Sequence, residues 1–144
     1  MAVVACIGFS RCSNDDMLLS YQNTLQVGFY SSHTHNDTTL TSVQAYGVGN
    51  DSLLYDVDEI GELYLNLNMN ADSTTFVIRT QTLQDELFVA YSKSLTPVSG
   101  SGGITMELRV DSISHTNVFI DSVSVVKAWV NYNESYENVQ IFVY

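Results

Sequence analysis

The sequence predicts an all-β protein: an antiparallel β-sandwich of about eight or nine strands, immunoglobulin-like or Greek-key in type, with a closed β-barrel as the alternative. Three observations predict it. Apolar and polar residues alternate in run after run, the period-2 signature of a half-buried strand. β-Branched and aromatic residues dominate those runs, as a pleated surface prefers. Turn-forming clusters recur about every ten residues, the spacing of a sandwich or barrel.

The elements follow in order. "TLQVGFY" places Leu25, Val27 and Phe29 on one face. "LTSVQAYGVG" and "DSLLYD" come next, then "ELYLNLNM" with Leu63, Leu65 and Leu67 in phase. "TTFVIRTQT" and "ELFVAYS" follow. "GITMELRVD" alternates most cleanly, with Ile104, Met106, Leu108 and Val110 inward and Thr105, Glu107, Arg109 and Asp111 outward. "NVFIDSVSVVKAWV" and "ENVQIFVY" close the chain; the latter, if left uncovered at a sheet edge, would suit strand addition to a partner. "SHTHND", "GVGND", "MNADS", "VSGSGG" and "NYNES" supply the turns. "DVDEIGELY" and "LQDEL" each read as one helical turn.

The chain has 144 residues, the size of one domain with a core of its own. With 45% apolar and 15% charged residues it has the composition of a folded protein. A formal net charge of -11 sets nucleic acid and polybasic membrane binding aside and makes a divalent cation such as calcium the more natural ionic partner. No apolar run is long enough to span a bilayer.

Both cysteines, Cys6 and Cys12, lie close to the N-terminus. A disulfide framework, a cysteine-ligated metal and a cysteine nucleophile are thereby excluded for the folded part. "AVVACIGFS" has the length of a signal-peptide apolar region, and "SNDD" follows Cys12. This resembles a bacterial lipoprotein signal, with Cys12 as the lipidated residue and Cys6 as the alternative. Val3-Val4-Ala5-Cys6 fits the lipobox pattern, but almost nothing precedes it; Arg11 departs from the small residue usual before the cysteine. No basic region precedes either cysteine, so the expected start lies further upstream. The expected organisation is a signal segment over residues 1–12, a tether over 13–22 and a single all-β domain over 23–144. The bland reading is a buried N-terminal strand from Val3 to Phe9.

Few constellations carry chemistry. His33, His35 and Asp37 share a strand spacing that zinc could use with His115 as a further ligand, although a solvated hairpin loop explains them as well. Asn68, Asn70 and Asp72 open like an EF-hand, but Ser73 and Arg79 occupy the glycine and glutamate positions, which excludes one. Asp56, Asp58, Glu59 and Glu62 form the densest acid cluster, a weak calcium site against a solvated edge. "VSGSGG" lacks the lysine and helix of a phosphate cradle. There is no G-x-S-x-G or H-E-x-x-H, and no acid pair stands out for glycoside hydrolysis. Trp129 is the lone tryptophan; facing outward with Tyr132 and Tyr136 it would stack on a sugar ring, facing inward it would fill the core.

Asp followed by Ser or Thr recurs before an apolar residue or Thr, with hydroxyls at Thr38, Ser52, Ser73, Ser112 and Ser122. Composition alone gives about one such triplet. The pattern resembles the O-glycosylation site of exported Bacteroidetes proteins, and it also suits a turn leading into a strand.

"LQVGFY", "VQAYGVGNDSLLYD", "LNLNMNADSTTFVI", "ELFVAYS" and "IDSVSV…ENVQIFVY" together resemble small uncharacterised Bacteroidetes lipoproteins, a domain-of-unknown-function group. The resemblance spans Leu25 to Tyr144 and rests on segment order. It implies place and fold class, and no functional residue. The expected role is a lipid-anchored outer-membrane protein, at the cell surface or periplasmic face, that binds an envelope protein or a glycan without catalysis. The alternative is a small glycan-active or calcium-dependent enzyme.

Overall fold

The computed structural model describes residues 24–49, 54–97, 104–130 and 136–144. The signal segment, the tether, Cys6, Cys12, Ser52 and Tyr132 lie outside the described residues. Among the described residues ten strands run in chain order: β1 (Thr24–Ser31), β2 (Leu40–Gly47), β3 (Tyr55–Ile60), β4 (Glu62–Asn66), β5 (Ser73–Arg79), β6 (Gln84–Pro97), β7 (Ile104–His115), β8 (Ile120–Val125), β9 (Trp129–Val130) and β10 (Val139–Val143). No helix occurs among the described residues.

The strands form two sheets, a four-stranded one in the order β4-β1-β10-β8 and a six-stranded one in the order β3-β2-β5-β6-β7-β9. Each sheet has its own edges, so the architecture is a sandwich and not a closed barrel. All pairings are antiparallel except β1 with β10, which run parallel. A parallel pair needs a long connection, and nearly the whole described chain lies between these two strands.

The alternating runs bury the expected faces. Leu25, Val27 and Phe29 of β1, Leu63 and Leu65 of β4, and Ile141 and Val143 of β10 meet Val43, Ala45, Phe76, Ile78, Leu87, Val89 and Leu108 from the other sheet. "ENVQIFVY" is no edge: β10 is paired on both sides, by β1 and β8.

Both expected helical turns are strands. "DVDEIGELY" breaks at Gly61, with β3 in one sheet and β4 in the other. The Phe29 amide donates to the Gly61 carbonyl at 3.1 Å, which ties the crossing to β1. "LQDEL" opens β6, whose inward phase is Asp85, Leu87, Val89 and Tyr91. Tertiary pairing outweighs the local helical pattern in both places.

Tyr91 closes a hydrogen-bonded ring over the "NMNADS" turn. Its hydroxyl donates to the Asn68 carbonyl at 2.5 Å, the Thr74 hydroxyl lies 2.8 Å from it, and the Asn68 amide donates to Thr74 Oγ1 at 2.9 Å. Lys93 Nζ adds a bond to the Met69 carbonyl at 3.1 Å. Burial, the largest influence, raises the Tyr91 pKa and keeps the hydroxyl a donor. Tyr91→Phe should lose about 1–3 kcal/mol in urea unfolding, since it removes the bonds that join the Asn68 carbonyl and the Thr74 hydroxyl to β6.

Candidate functional site

The outer face of the four-stranded sheet carries a cleft. Facing outward in register across β4, β1 and β10 are Glu62, Gly28 and Gln140, with Tyr30 beside Phe142 one step along. Gly28 interrupts an otherwise alternating strand. A methyl group built there would overlap Glu137 Oε1 and lie 3.0 Å from Glu137 Cδ. Glycine is therefore what lets the Glu137 carboxylate lie across β1.

Glu137 is held in place from both sides. The Tyr30 hydroxyl lies 2.9 and 2.7 Å from its two oxygens, and Gln140 Nε2 donates to Oε2 at 3.1 Å. The hydrogen bond to Glu137, with burial behind it, raises the Tyr30 pKa, so Tyr30 stays a donor. Tyr64 likewise donates to Glu62 at 3.1 Å, and its pKa is raised chiefly by that bond. The cleft, about 400 Å³, is lined by Gly28, Tyr30, Asp37, Thr38, Glu62 and Glu137 among others, and among the described residues no lysine or arginine lines it.

An aromatic patch adjoins it. The Tyr30 and Phe142 rings lie 5.7 Å apart at 39°, and His35 meets Phe142 edge-on at 5.4 Å. His35 reaches that position with a left-handed φ of 62°. The "SHTHND" segment turns back on β1 as a hairpin loop, with the Ser31 amide donating to the Asn36 carbonyl at 2.9 Å and the Thr38 amide to the Phe29 carbonyl at 3.0 Å, before the chain crosses to β2 in the other sheet. His115 is engaged elsewhere, with Nδ1 2.7 Å from the Thr116 carbonyl. Among the described residues no three His, Cys, Asp or Glu side chains gather to hold a metal, and this includes Asp56, Asp58, Glu59 and Glu62.

Trp129 faces outward, 43% exposed, while its neighbour Val130 is buried. It stands opposite Arg109 in the β7–β9 pair. Val126 is 49% exposed because the chain leaves the sheet between β8 and β9. Tyr136 donates its hydroxyl to the Trp129 carbonyl at 3.1 Å, and Lys127 Nζ sits 5.7 Å from the Tyr136 ring centre.

The Asp-Ser/Thr sites scatter. Thr38 lines the cleft and is half-buried, as is Ser73 at the start of β5; Ser112 and Ser122 are exposed. Asp111-Ser112 does not lead out of a turn. The register shift between Ala90 and Tyr91 leaves Asp111 as the extra residue of a β-bulge within β7.

Sequence reasoning missed Gly28, Tyr30, Glu137 and Phe142. A glycine inside an alternating strand was the one available signal, since it marks close approach of another group. Nothing local links Glu137 to a strand 107 residues away from it at Tyr30.

A profile described as a family of unknown function, DUF6452, matches residues 39–143. No curated protein matches significantly, and neither does any solved structure.

Proposed function

The chain belongs to this family of unknown function, and on that premise we propose that it is a non-catalytic binding module that takes a neutral or amino-bearing glycan on the outer face of its four-stranded sheet. The carrying observation is the cleft over Gly28, where an oriented carboxylate adjoins a Tyr30–Phe142–His35 patch. Carboxylates accept from sugar hydroxyls and ammonium groups, and aromatic faces cover the apolar face of a pyranose. Acids with no cation beside them among the described residues disfavour a polyanionic glycan here.

The module is tethered to the bacterial outer membrane by lipid on Cys12, as a Bacteroidetes lipoprotein. The apolar segment from Ala2 to Ser10, just ahead of that cysteine, and the following "SNDD" support this reading. Intact mass of the native membrane form, beside Cys12→Ala and Cys6→Ala variants, tests it. A diacylated chain starting at Cys12 is expected; an unmodified full-length chain overturns it.

Calorimetric titration of the protein with neutral and amino-bearing oligosaccharides tests the cleft. Binding by the native chain is expected to weaken at least about tenfold in Gly28→Ala, equivalent to about 1.4 kcal/mol. Equal binding by both proteins, or none by the native chain, refutes the site. Glu62 and Glu137 sharing one cleft is the observation behind the alternative, a glycan hydrolase. Shortened oligosaccharides in the same mixtures would favour it.

A further inference from the structure

We infer that Trp129, Lys127 and Arg109 form a second binding site, on the six-stranded sheet, for an acidic sugar such as a uronate. It is independent of the Gly28 cleft, which lies on the outer face of the other sheet.

Trp129 is placed firmly although it belongs to a strand of only two residues. Its carbonyl accepts from Tyr136 Oη at 3.1 Å and from Asn138 Nδ2 at 3.0 Å, and Asn138 is buried. The Val110 amide donates to the Ala128 carbonyl at 2.7 Å, which extends the pairing with β7 beyond Arg109. These bonds fix the backbone that carries the indole, which the strand then presents on the sheet surface as a stacking platform.

Cations flank it in a chain where they are scarce. The sequence holds five lysines and arginines against sixteen acids; of the five, Arg109 stands opposite the lone tryptophan and Lys127 lies two residues before it in the chain, over Tyr136, whose hydroxyl bonds the Trp129 carbonyl. Lys127 forms no ion pair among the described residues; its ammonium leans over Tyr136. Arg109 gives Nη1 to Asp111 at 3.2 Å, which leaves further guanidinium donors for a ligand. Asp111 is held in turn by the Ser92 hydroxyl. Asp111 and Glu107 share this face, so long-range steering is weak and selectivity comes from short-range contact with the two cations. A sugar carboxylate would meet Lys127 and Arg109, and Asp111 would accept a ring hydroxyl.

The lone tryptophan makes intrinsic fluorescence a reporter of this place alone. The test titrates the intact protein with tetragalacturonate and, separately, with the neutral sugar maltotetraose. Tetragalacturonate should change the Trp129 emission with an affinity at least about tenfold above that of maltotetraose, and the affinity should fall as salt rises. Lys127→Ala and Arg109→Ala should each weaken it about fivefold or more while Lys127→Arg preserves it. Both side chains are solvent-facing, so unchanged thermal transitions will show the variants folded. No emission change, equal affinity for the two sugars, or an unaltered Lys127→Ala variant would overturn the inference.

Discussion

Asp85→Ala should destabilise the domain by about 3–5 kcal/mol, a large part of the 5–15 kcal/mol typical of a folded domain. Asp85 is buried at 1% exposure on the inward phase of β6, among Leu87 and Val89. Its Oδ1 accepts from the Thr116 hydroxyl at 2.5 Å and the Val118 amide at 2.8 Å. Its Oδ2 accepts from the amides of Phe119 and Ile120 at 2.7 and 2.8 Å. One carboxylate thus satisfies the donors of the segment that carries the chain from β7 in one sheet to β8 in the other. Alanine leaves three backbone donors without this partner, and those of Phe119 and Ile120 are buried. Asparagine fares little better, because its amide would point N–H groups at N–H groups. Urea unfolding should show a lower midpoint for both variants with an unchanged slope. A loss under about 1 kcal/mol would mean that water replaces the carboxylate freely.

The same residue predicts an acid limit. Burial pushes the Asp85 pKa up, but the Thr116 hydroxyl and the amides of Val118, Ile120 and Phe119 together pull it down further, below its ordinary 3.8. A depressed folded pKa means stability that is fully present above the unfolded value. It is lost as pH falls through the folded one. The stability gap between native protein and Asp85→Asn should therefore be constant near neutrality and narrow as pH falls below about 4. A gap that stays constant to pH 2 would assign the acid sensitivity to other carboxylates.

The strands were legible because period-2 burial leaves a local trace: Leu25-Val27-Phe29 and Leu63-Leu65 face inward as the alternation requires. Asp85 was legible in principle, as an acid on the apolar phase of "DELFVAY", but only once that segment is read as a strand and not a helical turn. Partners across the fold leave no such trace. The parallel pairing of β1 with β10, and the reach of Glu137 over Gly28 to Tyr30, are set by where the chain returns after more than a hundred residues. Trp129 could be read either way, because alternation in "VVKAWV" fits both faces; its exposure is decided by Leu108 opposite Val130 and Arg109 opposite Trp129. The acid cluster from Asp56 to Glu62 dispersed because Gly61 sends its two ends to different sheets.

Asn138→Ala should cost about 3–4 kcal/mol and change the surroundings of Trp129 as well. Asn138 is 3% exposed and precedes β10. Its Oδ1 accepts the Gln26 amide at 2.9 Å, while Nδ2 donates to the carbonyls of Lys127 at 3.1 Å and Trp129 at 3.0 Å. Its own amide donates to the Gln26 carbonyl at 2.9 Å, and its carbonyl accepts from Val126 and Lys127. One side chain therefore clamps β1 of the four-stranded sheet to the segment that presents Trp129 on the six-stranded one. Losing it removes the partner of the half-buried Gln26 amide and of the Lys127 and Trp129 carbonyls, and loosens the short strand β9. The lone tryptophan should then emit further to the red in the still-folded variant, a readout that a purely global loss of stability would not produce. Asn138→Asp keeps the shape but sets a carboxylate against two carbonyls. Burial and that repulsion would raise the pKa of the introduced carboxyl, so the stability this variant retains is present at low pH and lost as pH rises through the raised value. Acid should therefore narrow the gap between Asn138→Asp and the native protein. The pair separates two readings: if Asn138→Asp matches the native protein at neutral pH, the Lys127 and Trp129 carbonyls do not depend on this amide, and the clamp fails as an explanation for where Trp129 stands.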